Sequence, residues 1–185
     1  MKAASLVLAA LAVASAGLIA QPAVAANVKV SSVPAVHTNG LDPAFLDKEH
    51  AKAPKESGLT AYVGPAGGYV LEFTNGLVVY FSGDTGITAE QDLVVRRVYK
   101  ANLAVIHIGD VFTTGPTEAA YVINELVKPN SAIPTHANQE STKGGELVAG
   151  TRADIFRKAT KVPVHIPLSG ETMEFDGRGK CVAGC

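Results

Sequence analysis

The chain has 185 residues, 47% of them apolar and 18% charged, which excludes a disordered or fibrous protein and allows one folded domain, two at most. Sixteen Lys and Arg stand against 17 Asp and Glu with no basic run. Nothing here has the electrostatic footprint of a nucleic-acid binder.

At the N-terminus, Lys2 precedes an apolar, Ala-rich stretch from Ala3 to Ala20, then Gln21-Pro22 and the small-x-small triplet Ala23-Val24-Ala25. This order predicts a secretory signal peptide over residues 1–25, cleaved after Ala25, and so a periplasmic or secreted protein with no stable membrane anchor. The competing reading is an uncleaved span, but Ser5, Ser15 and Gly17 dilute the run. Export places Cys181 and Cys185, the only two cysteines, where they can pair. Their short loop would stabilise little. The same spacing suggests a soft-metal clip, but no His is near them in sequence, so residues 177–185 read as a mobile C-terminal tail after one domain spanning 26–176.

Thr38 to Gly67 carries Pro43, Pro54 and Pro65, many charges and no period, and reads as a long irregular segment. Tyr69 to Phe73 and Leu77 to Phe81 are rich in aromatic and β-branched residues and flank Asn75-Gly76, which predicts a hairpin with a two-residue turn. Thr88 with Gln91 opens a capping box, and Leu93, Val94 and Val98 carry helical spacing to Lys100. Leu103 to Ile108 is a buried strand.

A second helix starts at Gly115-Pro116, with Glu118 in its first turn, an apolar face of Ala119, Val122, Ile123, Leu126 and Val127, and a stop at Pro129. Ser131 to Thr135 is a strand running into His136, Ala153 to Thr160 a helix, Val162 to Ile166 a strand and Thr172 to Phe175 the last strand. The fold class is therefore α/β (α+β), a mixed sheet with flanking helices.

The five histidines, His37, His50, His107, His136 and His165, form no His-x-His or His-x-x-x-His pair, so local spacing seeds no metal site. There is no nucleophile elbow, no phosphate-binding loop and no dinucleotide fingerprint. What recurs is a polar residue after an apolar strand: His37, Asp84 in Gly83-Asp84-Thr85-Gly86, Asp110 and His136. In open α/β sheets ligands gather outside the strand ends. The blander reading is turn chemistry at each position separately.

Five segments in order resemble the metallo-β-lactamase-fold metal-dependent hydrolases, in the branch of the ascorbate-6-phosphate lactonases. They are Val33-Pro-Ala-Val-His37, Gly68-Tyr-Val-Leu-Glu-Phe-Thr-Asn-Gly76, Ser82-Gly-Asp-Thr-Gly86, Ile108-Gly-Asp-Val-Phe-Thr-Thr-Gly-Pro116 with Glu118-Ala-Ala120, and Lys128-Pro129 with Ile133-Pro-Thr-His136. The resemblance implies the C-terminal half of an αββα sandwich. It makes His37 a ligand of one metal, Asp84 a bridging and catalytic carboxylate and His136 a ligand of a second metal. Asp110 and His107 are additional candidates, and Gly115 and Pro116 form a helix start facing an anionic substrate group.

The family's His-x-His-x-Asp-His motif is absent from the chain. With these ligands a single divalent ion, zinc or manganese, is the expected cofactor. The implied reaction is hydrolysis of an ester, lactone or related bond in a small molecule by metal-bound hydroxide. The alternative is a non-catalytic remnant acting as a metal-binding or assembly module. Half a sandwich would expose an apolar sheet face, which a homodimer would cover. His107 is also a candidate for the core or for bracing the ligands from behind, His50 reads as solvated, and the resemblance places His165 away from the site.

Overall fold

The computed structural model describes residues 27–185, so the expected signal peptide over 1–25 lies outside the described residues. Five strands form the main sheet: β1 Val28–Pro34, β2 Gly67–Phe73, β3 Val78–Phe81, β4 Leu103–His107 and β5 Ser131–Thr135, neighbours in that order. β1 pairs antiparallel with β2 and β2 with β3, whereas β3, β4 and β5 run parallel. Two reversals return β1 to the direction of the parallel set. The C-terminal ends of β1, β3, β4 and β5 therefore share one rim.

Helix α1 spans Lys48–Ser57, α2 Gln91–Tyr99, α3 Pro116–Tyr121 continuing as Val122–Val127, and α4 Arg152–Ala159. α2 and the second half of α3 are wound with the wider π turn. Parallel strands need crossovers, and α2 and α3 are those crossovers. The mixed sheet with flanking helices is the architecture expected from the order of elements.

Alternation along the strands divides the sheet into two unlike faces. On one, Val33, Val70, Tyr80, Ala104, Ile106 and Ala132 are buried, and Val95, Val122, Ile123, Val127 and Phe156 from the helices pack with them. Burying each such side chain stabilises the fold by roughly 1.5–3 kcal/mol. The other face aligns Val28, Val30, Tyr69, Leu71, Phe81, Val105 and Ile133 through the strand register. Val30 is 60% exposed, Tyr69 53% and Phe81 39%.

Four expectations are corrected. The segment from Thr38 to Gly67 is not structureless. Gly40–Leu41 pairs with Ala61–Tyr62 and encloses α1, whose first N–H groups, at Glu49 and His50, donate to Asp47 Oδ1 and which ends at the left-handed Gly58. These caps hold a helix despite Pro54. The hairpin turn has three residues rather than two, because the Phe73 N–H donates to the Leu77 carbonyl and Gly76 takes φ +92°.

Val162 to Ile166 makes only one bridge, Val164 beside Ala132, with the His165 N–H donating to Ala132 O and the Ala132 N–H to Pro163 O. Pro163 and Pro167 lack the N–H groups a longer ladder requires. Finally, the expected C-terminal tail is half of a hairpin, β6 Glu174–Phe175 with β7 Cys181–Ala183. The Ser131 hydroxyl and the Asn130 amide donate to the Gly179 and Arg178 carbonyls and tie it to the sheet.

Candidate metal centre at the sheet rim

Three loops meet at the rim. The first follows β3, and its Gly83 has φ +58°, where a Cβ would come within 2.6 Å of the Gly67 carbonyl oxygen. Only glycine turns the chain there without strain. This aims Asp84 outward, while buried Thr85 turns back: its Oγ1 accepts the Val36 N–H at 2.9 Å, and the Gly86 N–H donates to Val36 O at 2.8 Å. The His37 segment is thereby clamped to the Asp84 loop.

The second loop follows β4. Asp110 and Val111 both sit at positive φ, +64° and +78°, a real outlier for a β-branched side chain. The third follows β5, where His136 takes φ +48° and packs its backbone against Gly109, at a distance no Cβ would tolerate. Strained non-glycine residues grouped at one rim mark a site whose geometry the surrounding structure enforces.

Asp84 Oδ2 and His136 Nε2 are 3.5 Å apart, both side chains about half exposed. They share a depression with Tyr69, Phe81, Val105 and His107. An imidazole nitrogen and a carboxylate oxygen at that separation suit a borderline divalent cation, with room for solvent or substrate on the open side. His37 lies on the same rim, its Nδ1 bonded to the Thr38 carbonyl at 2.8 Å and its ring 6.3 Å from that of Phe112. It does not close a three-ligand set with the other two. Among the described residues, only His165, Cys181 and Cys185 form a trio of such residues with all ligand atoms within 4.8 Å of one another.

His107 is buried beneath the pair, and both its ring nitrogens are engaged, Nδ1 with Ser82 Oγ at 3.3 Å and Nε2 with Thr114 Oγ1 at 2.9 Å. Ser82 donates its own proton to Gly83 O and Thr114 can donate to Nε2, so the network is satisfied with Nδ1 carrying the ring hydrogen. Burial holds this imidazole below its ordinary pKa, the charges of His136 and His37 add to that, and Asp84 and the Gly83 backbone bond oppose it. It is a neutral brace with no nitrogen free for a metal.

Asp110 Oδ1 accepts the Val111 N–H at 2.7 Å, and its other oxygen lies 3.4 Å from where a Gly115 Cβ would stand, beside Glu118. The expected anion site at Gly115 and Pro116 is thus faced by two of the chain's own carboxylates, which repel an anion. Ser82, Thr85 and Thr114 carry no signal of their own in the sequence beyond lying inside the Ser82–Gly86 and Ile108–Pro116 segments.

Residues 12–137 match the family model of the beta-lactamase superfamily domain. The chain belongs to the beta-lactamase superfamily. The match starts inside the stretch read as a leader. Among curated relatives, a UPF0173 metal-dependent hydrolase of Cupriavidus necator is 35% identical over 116 residues, covering 63% of this superfamily member and 39% of the relative. Another, of Polynucleobacter asymbioticus, is 32% identical over 144 residues, covering 74% and 48%. The chain spans less than half the length of these relatives. An isothiocyanate hydrolase from Delia radicum gut bacteria shares the fold, with a TM-score of 0.51, 18% identity, and coverage of 81% of this chain and 55% of that one. The metallo-β-lactamase fold expected from the motifs is the fold observed.

Proposed function

We propose that the chain is a metal-dependent hydrolase holding one divalent ion, zinc or manganese, on Asp84 and His136, with solvent completing the coordination and His37 beside the site on the same rim rather than in the ligand set. The observation that carries this is the 3.5 Å approach of Asp84 to His136 at the rim where the strained loops converge. Such an ion, when bound, polarises the scissile carbonyl and activates water. The chain's own residues do the rest. Thr85 positions the His37 strand end, Gly83 aims Asp84, and the Ser82–His107–Thr114 network supports both from below without offering a competing proton.

The test is metal content after purification without chelator, for wild type and His136→Ala, followed by an ester and lactone panel. Near one equivalent of metal in the wild type, lost in the variant, with hydrolysis following the metal, supports the reading. A metal-free wild type leaves the second reading, a non-catalytic metal-binding or assembly module. That reading draws its support from the absence, among the described residues, of a third ligand within common reach of Asp84 and His136.

Export to the periplasm or beyond is part of the same proposal, carried by the composition of residues 1–25 and checked by the N-terminal sequence of the purified protein. A second copy of the chain is proposed to cover the exposed sheet face. The row from Val28 and Val30 through Tyr69 and Phe81 to Ile133 contains no charged side chain, so an isologous contact would meet no like-charge repulsion.

A further inference from the structure

At the opposite end of the sheet from the rim, three residues far apart in sequence converge. His165 lies on the short segment tied to β5, its N–H donating to Ala132 O. Cys181 opens β7, which the pairing with Phe175 sets in place, and the Phe175 ring meets that of His165 edge-on at 5.5 Å between centroids. Cys185 folds back so that a disulfide joins it to Cys181. A ligand nitrogen of His165 and both sulfurs all lie within 4.8 Å of one another.

Two further features are what a ligand site needs and a structural disulfide does not. The His165 Nε2 is buried and has no hydrogen-bond partner, a costly state for a polar atom unless something else satisfies it. Cys185 is exposed, so the cluster opens to solvent.

We propose that His165, Cys181 and Cys185 form a thiolate–imidazole site for zinc(II), closed while the disulfide is intact and opened by reduction. An external dithiol transfers two electrons and two protons to the Cys181–Cys185 bond and leaves as its own disulfide. The zinc ion then displaces both thiol protons to solvent and takes the imidazole as third ligand, with the fourth position left to water. Two thiolates and one imidazole with an open position are a chemically ordinary zinc set. This site shares no residue with the rim pair of Asp84 and His136.

The experiment uses the full chain, reduced with a phosphine that is then removed without air, and titrated with cobalt(II) as a spectroscopic probe. The expected result is a near-ultraviolet sulfur-to-cobalt charge-transfer band saturating at one equivalent and abolished by added zinc. It should be absent from the oxidised chain and from Cys181→Ser with Cys185→Ser. His165→Ala and the gentler His165→Gln, each checked for fold by circular dichroism, should bind cobalt about 10- to 100-fold more weakly. Asp84→Asn with His136→Ala should keep the band, because the rim contributes no sulfur. Absence of the band in the reduced wild type, unchanged affinity in both folded His165 variants, or loss of the band with the rim pair would each overturn the proposal.

Discussion

His107 shows how a single side chain can be diverted from an expected role by its neighbours. As a histidine on a buried strand beside Asp84 it was a candidate ligand, yet Ser82 and Thr114 occupy both ring nitrogens. Its pKa stands below the ordinary 6.5 because it is buried, with His136 and His37 adding to the effect and Asp84 and Gly83 opposing it. The unfolded chain therefore binds the proton more readily. The stability this residue contributes is complete above that ordinary value and is lost as pH falls through it toward the folded-state pKa. Urea unfolding between about pH 7.5 and about pH 5.5 should show falling stability with acid, and His107→Gln should reduce the slope. Part of the slope should survive, since His165 is depressed in the same direction by burial. An identical slope in the variant would remove His107 as its source. At the rim itself, Asp84→Asn should weaken metal binding on the order of tenfold or more while leaving the melting temperature nearly unchanged, because Asp84 is half exposed and buries no partner. Isothermal titration of the metal checks this.

Among the elements, α4 illustrates how local capping and burial combine. Thr151 Oγ1 accepts the Asp154 N–H at 3.3 Å, and the buried Asp154 carboxylate accepts the Gly150 N–H at 2.8 Å and pairs with Lys158 at 2.7 Å. The Lys158 bond, the Gly150 backbone bond and nearby Arg157 hold this carboxyl below its usual range. Phe156 from the same helix is fully buried in the core with the α3 residues. Phe156→Ala should cost about 3–5 kcal/mol and Thr151→Ala about 1 kcal/mol by denaturant unfolding. Equal losses would mean that the cap contributes as much to anchoring the helix as the packing does. α1 is the opposite case, with a strong cap and left-handed stop but only Ala51 buried. It was invisible to periodicity because a helix with one buried residue has almost no apolar stripe to detect.

For the molecule as a whole, the decisive feature is that a five-stranded sheet has helices on one face while the other, with Val79 and Leu103 buried, leaves Val30, Tyr69 and Phe81 open. Sedimentation at tens of micromolar should report a dimer, and Tyr69→Lys with Phe81→Lys should shift it to monomer without loss of secondary structure. A wild-type monomer under those conditions would show that a second copy does not cover this face. The described residues contain no helix long and apolar enough to cross a membrane.

Much of the layout was legible from local chemistry alone. The β2–β3 hairpin, the crossover helices and the strand endings at Asp84 and His136 follow from side-chain period, turn residues and capping, which act over a few neighbours and are therefore written in consecutive residues. The convergence of His37, Asp84, Asp110 and His136 on one rim required strand directions, and β1 joins that rim only through two antiparallel pairings. Which ligands fall within reach of one ion, how His107 came to be sealed, and that His165 meets Cys181 and Cys185 were decided by tertiary packing. Each brings together residues that are distant in sequence, up to more than fifty positions for Asp84 and His136, and no local rule of backbone or side chain spans that gap.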